Sequence, residues 1–229
     1  MAAEDESRSV LSAFAYIGVL TSYFAAGLAF VFLVGPLLYS WNSRLDLGTL
    51  SGFLSLWPDS WCALFAASLT IPAAFAYTVL ILLLGFSIQP FATTAVNTSG
   101  RIAFKVFPSL FKLAGVGGEL YSQIGTTPKL APLSDWLQRH QSAKAAWQWE
   151  FFHYYTACGL AFNAAALWLV LLVRMLWQSV SAKSFVLSSY WPVLLSFVFV
   201  VNCLLHAWAR SQSQKIITEY YYKKAANEW

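Results

Sequence analysis

The chain has 229 residues, of which 59% are hydrophobic and only 10% are charged. An ordinary soluble domain has roughly 45–50% apolar and about 25% charged residues, so this composition excludes a typical soluble domain and favours a protein embedded in lipid. The net charge of +4 is small and spread along the chain, which gives no support to nucleic-acid binding.

Four apolar segments are each long enough to cross a bilayer, whose ~30 Å hydrocarbon core requires ~20 apolar residues. They cover about 11–36, 60–88, 153–177 and 188–209, and none has a charge near its centre. We therefore predict an all-α integral membrane protein in which residues 1–229 form one domain with four transmembrane helices.

Prolines predict where the first two helices end or bend, because proline lacks a backbone donor and disfavours helix in the preceding residue. The first helix is expected to end near Pro36, and the second near Gln89 and Pro90. Pro72 is expected to kink the second helix.

Basic residues predict the orientation, since Lys and Arg in short loops are retained on the cytoplasmic side. The N-terminus, the connection 89–152 and the tail 210–229 share one side of a four-helix chain. That side holds Arg8, Arg101, Lys105, Lys112, Lys129, Arg139, Lys144, Arg210, Lys215, Lys223 and Lys224, and the other holds Arg44, Arg174 and Lys183. Both termini are therefore expected in the cytoplasm. The Ala-rich and Trp-rich helices favour a bacterial inner membrane.

The start of the connection mixes basic and aromatic residues between Ser99 and Leu113. Its cations are Arg101, Lys105 and Lys112. Such an amphipathic segment either lies in the membrane interface with its cations toward anionic lipid, or packs against the helices of the chain itself.

The third and fourth helices are expected to extend beyond the membrane as a cytoplasmic helical hairpin. Ser134 and Asp135 offer an N-cap, and no strong stop signal follows up to Trp177. From Tyr190 to Ala226 there is no glycine, and the only proline is Pro192. The two extensions, 134–152 and 210–226, are similar in length.

Polar residues recur at matching levels of the third and fourth helices, which are antiparallel neighbours because the connection between them is short. Asn163 lies level with Asn202 and His153 level with His206. The asparagines are interpreted as hydrogen-bonding across helices, with a polar ligand site or a pore lumen as the alternative. The histidines form a candidate haem or metal pair near the cytoplasmic boundary, although an imidazole is also comfortable there without a ligand.

Two further patterns concern packing of the third helix. Arg174 lies about one turn from its outer end, and its long side chain is expected to snorkel toward water. Ala157, Ala161 and Ala165 recur every four residues and permit close approach of a neighbouring helix.

No catalytic motif is present: the chain lacks a P-loop, a G-x-S-x-G, an H-E-x-x-H and a pair of carboxylates within the spans. This pattern favours a non-catalytic subunit that oligomerises or joins a complex through its cytoplasmic face, with lipid and a protein partner or further copies of itself as its contacts. The two alternatives are a pore or membrane-perturbing effector made of several copies, and a haem- or metal-binding redox subunit.

Overall fold

A computed structural model describes residues 18, 20–41, 46–66, 71–106, 109, 130–183 and 185–227. All regular secondary structure in this part of the chain is helical. The helices are α1 (Leu20–Leu33), α2 (Gly35–Tyr39), α3 (Leu50–Ala66), α4 (Ile71–Val106), α5 (Leu130–Arg139), α6 (Gln141–Ala182), a 3₁₀ turn (Leu187–Tyr190) and α7 (Trp191–Asn227).

Three of these helices are long and apolar enough to cross a membrane, which gives the chain the character of a helical membrane protein. They contain the segments Phe75–Ala103, Gln141–Ala182 and Leu187–Asn227. The spans predicted at 153–177 and 188–209 lie within the last two. The span predicted at 11–36 is described as helix over Leu20–Leu33 and Gly35–Tyr39, and residues 11–17 lie outside the described part.

The second helix does not end at Pro90, so that prediction was wrong. Helix α4 continues through Gln89 and Pro90 as far as Val106. Proline removes only one hydrogen bond from a helix, here the bond to the Phe86 carbonyl, and packing against neighbouring helices lets a long helix continue through that loss. Pro72 lies at the start of the described part of α4, directly after residues 67–70, which lie outside the described residues.

The third helix is not continuous from Ser134, because the backbone leaves the helical region at His140 (φ −116°, ψ 80°). Helix α5 has already begun at Leu130, so Ser134 is not an N-cap. The His140 ring stacks on Trp136 with centroids 4.1 Å apart and planes at 17°. The break lets α5 fold back onto the end of α7, where Trp136 contacts Tyr221 (centroids 5.7 Å).

Helices α6 and α7 are antiparallel and stay in contact from their short connection to beyond the predicted membrane boundary. At the connection, the Tyr190 hydroxyl is 2.8 Å from Ser179 Oγ. At the other end, Trp147 Nε1 donates to Thr218 Oγ1 at 2.9 Å. Helix α7 is unbroken over this distance, as its sequence predicts.

The packed interior consists of three clusters along the helix pair. The central cluster lies between α4, α6 and α7 and contains Ile88, Ala92, Val96, Tyr154, Ala157, Cys158, Ala161, Ala164, Val200, Cys203, Ala207 and Trp208. The cluster toward the α6–α7 connection contains Val34, Leu37, Leu47, Leu56, Leu167, Leu171, Met175, Tyr190 and Val193. The third, under α5, contains Leu133, Trp136, Leu137 and Ala225. Small residues on α6 thus let its neighbours approach closely, and large apolar side chains on α4 and α7 face outward, as lipid contact requires.

Candidate functional site

The two candidate haem ligands lie near each other but differ in their surroundings. His153 Nδ1 is 3.0 Å from the Trp149 carbonyl oxygen, and its ring meets the Trp149 ring edge-on at 4.5 Å between centroids. His206 is exposed on α7, within electrostatic range of His153 and Arg210. Within the described ranges, no group of three or more His, Cys, Asp or Glu side chains could hold a metal ion.

The two asparagines predicted at one level face different ways. Asn163 is buried, and its Nδ2 donates to the Ala26 carbonyl on α1 at 2.8 Å. Asn202 is exposed, and its Nδ2 donates to the Val198 carbonyl of its own helix at 3.0 Å. The interhelical bond of Asn163 thus joins α6 to α1.

The predicted basic segment continues α4. Arg101 and Lys105 lie exposed in its last turns, and Lys112 lies outside the described residues. Arg101 also influences Lys215, a residue of α7 that lies beyond the predicted fourth span. Burial and the charge of Arg101 together lower the pKa of Lys215 to about 8. The end of α4 therefore brings a cation beside the extension of α7.

A buried amide that the sequence analysis did not single out lies across from Asn163. Gln89 on α4 is 1% exposed, and its Nε2 donates to the Tyr155 carbonyl on α6 at 2.7 Å. Its Oε1 faces Gly159: a Cβ built on that glycine would be 3.1 Å from Oε1 and 2.8 Å from the Ala26 Cβ. Ala26, Gln89, Gly159 and Asn163 together form what we call the amide cluster, where α1, α4 and α6 meet.

The amide cluster is possible because α1 and α4 cross without side chains between them. A Cβ on Gly27 would be 3.0 Å from the Gly85 nitrogen and would overlap the Ile81 carbonyl oxygen. A Cβ on Gly85 would likewise overlap the Tyr23 carbonyl oxygen. Only glycine allows backbones this close.

Arg174 does not snorkel, so that expectation was wrong. The side chain is 1% exposed and points into the protein, where its Nη1 donates to Ser40 Oγ at 2.8 Å and to the Leu37 carbonyl at 3.3 Å. Ser40 Oγ in turn donates to the Pro36 carbonyl at 2.7 Å. Leu37 lies in the last turn of α2, and the carbonyl end of a helix stabilises a cation.

The opposite end of the bundle is held by tryptophan hydrogen bonds and by an ion pair between α6 and α7. Trp208 Nε1 on α7 donates to the Val96 carbonyl on α4 at 3.0 Å, which fixes the level of the two helices. Glu150 and Arg210 approach to 3.9 Å across α6 and α7. We call this region, with α5 and the adjoining turns of α6 and α7, the α5 end.

Large apolar side chains remain exposed at the α5 end. Trp149 on α6 is 61% exposed, and Ile216 and Tyr220, one turn apart on α7, are 52% and 53% exposed. Trp149 and Ile216 lie at one level of the helix pair. Lys224 Nζ lies 4.9 Å from the centre of the Tyr220 ring. We call Ile216 and Tyr220 the Tyr220 surface.

No protein-family model matches this chain, and no significant similarity was found to a curated protein or to a solved structure.

Proposed function

We propose that the chain is a non-catalytic membrane component that oligomerises or docks on a protein partner through its α5 end. The observation that carries the proposal is the Tyr220 surface, the exposed pair Ile216 and Tyr220 one turn apart on α7. Monomeric soluble surfaces rarely keep adjoining large apolar side chains exposed, and such groups mark interaction sites. Tyrosine is also enriched at protein interfaces and among the residues that dominate their binding energy.

The position of this surface along the helices separates it from the lipid-facing residues. Ile216 and Tyr220 follow the predicted span 188–209 by about two and three turns at 3.6 residues per turn. Lipid covers the exposed leucines and phenylalanines within the spans, but these two side chains lie beyond its reach. A second copy or a partner would bury them.

The proposed setting is a four-span topology with both termini in the cytoplasm, in a bacterial inner membrane. The excess of Lys and Arg on the side of the α5 end supports this orientation. The helical pair of α6 and α7 then forms the predicted cytoplasmic hairpin, with Arg101 and Lys105 on the same side, facing anionic lipid.

The assembly mass of the purified protein tests the proposal. The wild-type chain in detergent or nanodiscs should run as an oligomer or with a co-purifying protein. The double variant Ile216→Glu/Tyr220→Glu should lose that association and keep its helical content by far-UV circular dichroism. Ala226→Glu, which adds a charge at another exposed position of α7, is the control. A wild-type chain that is monomeric at all concentrations without a partner, or a double variant with unchanged mass, would contradict the proposal.

The same preparation distinguishes the two alternatives. A pore made of several copies would use the exposed Asn202, since Asn163 is buried inside one chain, and liposome leakage should then change in Asn202→Leu. A redox subunit would use His153 and His206, and the purified protein should then show a haem absorption spectrum or contain iron. A colourless, iron-free protein that does not permeabilise liposomes leaves the interaction function.

A further inference from the structure

The amide cluster contains two buried oxygen atoms without a hydrogen-bond partner among the described residues. These are Gln89 Oε1 and Asn163 Oδ1, on side chains that are 1% and 0% exposed. A buried acceptor left without a donor costs about 1–3 kcal/mol, and most buried polar groups in folded proteins are satisfied by protein or by ordered water.

Flipping the two side-chain amides by 180° does not give their oxygens a hydrogen-bond donor. Each NH₂ group already donates to a backbone carbonyl on a different helix, Asn163 Nδ2 to Ala26 and Gln89 Nε2 to Tyr155. A flipped amide would turn its oxygen toward that carbonyl oxygen and lose the bond. The two carbonyl groups therefore keep each amide in its present orientation, with its oxygen available.

The Asn163 amide belongs to α6, and the Gln89 amide of α4 packs against α6 one turn away, beside Gly159, which has no side chain. Gly159 and Asn163 are one turn apart, and Gln89 Oε1 points at Gly159. Ala26 contacts the same face and offers only a methyl group. The two acceptors thus lie at neighbouring turns of α6, and Gly159 and the Ala26 methyl group lie beside Gln89 Oε1.

We propose that the amide cluster binds one water molecule, which donates one hydrogen to Gln89 Oε1 and the other to Asn163 Oδ1. Water has two donors and no charge, which matches two neutral acceptors within the bundle. A metal cation is less suited to this cluster, because hard cations take six or more oxygen ligands and the two nearest backbone carbonyls already accept from the amides. The water joins α4 to α6 at the point where α1 crosses both.

Water contacts to the side-chain amides test the proposal directly. Isotope-labelled protein in perdeuterated detergent should show Overhauser cross-peaks from the Gln89 and Asn163 NH₂ groups to water, with the sign of a long-lived bound molecule. Asn202 is the control, since it lies level with Asn163 and donates to its own helix at the outer surface. Absence of these cross-peaks, or equal cross-peaks at Asn202, would overturn the proposal. So would a shift of the two amide signals when sodium and potassium are replaced by a bulky organic cation, since that result indicates a bound metal.

A double-variant cycle tests whether one molecule bridges both oxygens. Gln89→Met and Asn163→Leu should each lower the Tm, because each leaves the water with one acceptor and removes a bond to a backbone carbonyl. The decrease in Tm of the combined variant should be smaller than the sum of the decreases of the two single variants. Additive losses would show that the two amides do not share a water, and would overturn the bridge even if each variant folds.

Discussion

The glycine crossing of α1 and α4 gives the sharpest stability prediction: Gly85→Ala should destabilise the bundle. The added Cβ would lie 2.6 Å from the Tyr23 carbonyl carbon and closer still to the oxygen, whereas ordinary contacts begin at 3.4 Å. The two helices must therefore separate by at least about 0.8 Å, the difference between these distances. Neither the Tyr23 carbonyl nor the new Cβ can rotate away, because the carbonyl is part of the backbone and the backbone fixes the position of a Cβ.

The expected cost follows from the looser packing of the two separated helices. A gap of 0.5–1 Å forfeits a quarter to a half of each dispersion attraction, and each atom pair contributes ~0.1–0.2 kcal/mol. Some tens of atom pairs meet where two helices cross, so the cost is about 1–3 kcal/mol, the usual range for overpacking. The higher helix propensity of alanine returns at most ~1 kcal/mol. A net destabilisation of about 1–2 kcal/mol is expected.

The measurement is reversible unfolding of the purified protein in mixed micelles of increasing denaturing detergent, followed by tryptophan fluorescence. Gly35→Ala is the matched control, because a Cβ at that helical glycine meets nothing within 4 Å. It should leave stability unchanged or raise it slightly. Equal stabilities of Gly85→Ala and the wild type, or an equal loss in Gly35→Ala, would refute the argument from backbone overlap.

Three further predictions use the same purified protein. Ser40→Ala should lower the free energy of unfolding by about 1–3 kcal/mol, because Arg174 loses a hydrogen-bond acceptor. Ser87→Ala is the control: this exposed serine bonds to its own helix, and its loss should cost less than about 0.5 kcal/mol. Trp208→Phe should cost about 1–2 kcal/mol by removing the buried hydrogen bond from Trp208 Nε1 to the Val96 carbonyl, and Trp177→Phe, at a 66% exposed position, should have little effect. Similar losses at both positions would argue against the hydrogen bond. Competitive acetylation over a pH series should place the titration midpoint of Lys215 near its pKa of about 8. Arg101→Gln should raise that midpoint, because a repelling positive charge is removed. An unchanged midpoint would show that Arg101 does not lower the pKa of Lys215.

The long helices and their pairing could be predicted from the sequence, since these depend on local pattern. Apolar runs without charges mark the membrane-crossing parts of α6 and α7, and a short connection dictates antiparallel neighbours. The level of each residue pair then follows from its distance to the connection. The hydrogen bond between Trp147 and Thr218 lies close to the level expected from that rule.

The predictions from sequence were wrong where a residue's conformation depends on contacts with residues far away in the sequence. Pro90 looked like a helix end, but the lost bond is one of many and α4 is packed against α6 on both sides of it. Arg174 looked like a snorkelling residue because its acceptors, Leu37 and Ser40, are more than a hundred positions away in sequence. Gln89 was overlooked beside Pro90, although a lone amide within an apolar helix was a signal that could have been followed.

The contact between Arg174 and α2 also bears on the order in which the chain is assembled. An arginine entering the bilayer alone costs about 2.5–3.5 kcal/mol during insertion. Synthesis proceeds from the N-terminus, so the Leu37 carbonyl and the Ser40 hydroxyl, which accept from Arg174, are made long before Arg174 leaves the ribosome. The acceptors thus precede the cation that needs them, so a chain inserted in this order would already contain them when α6 enters the membrane.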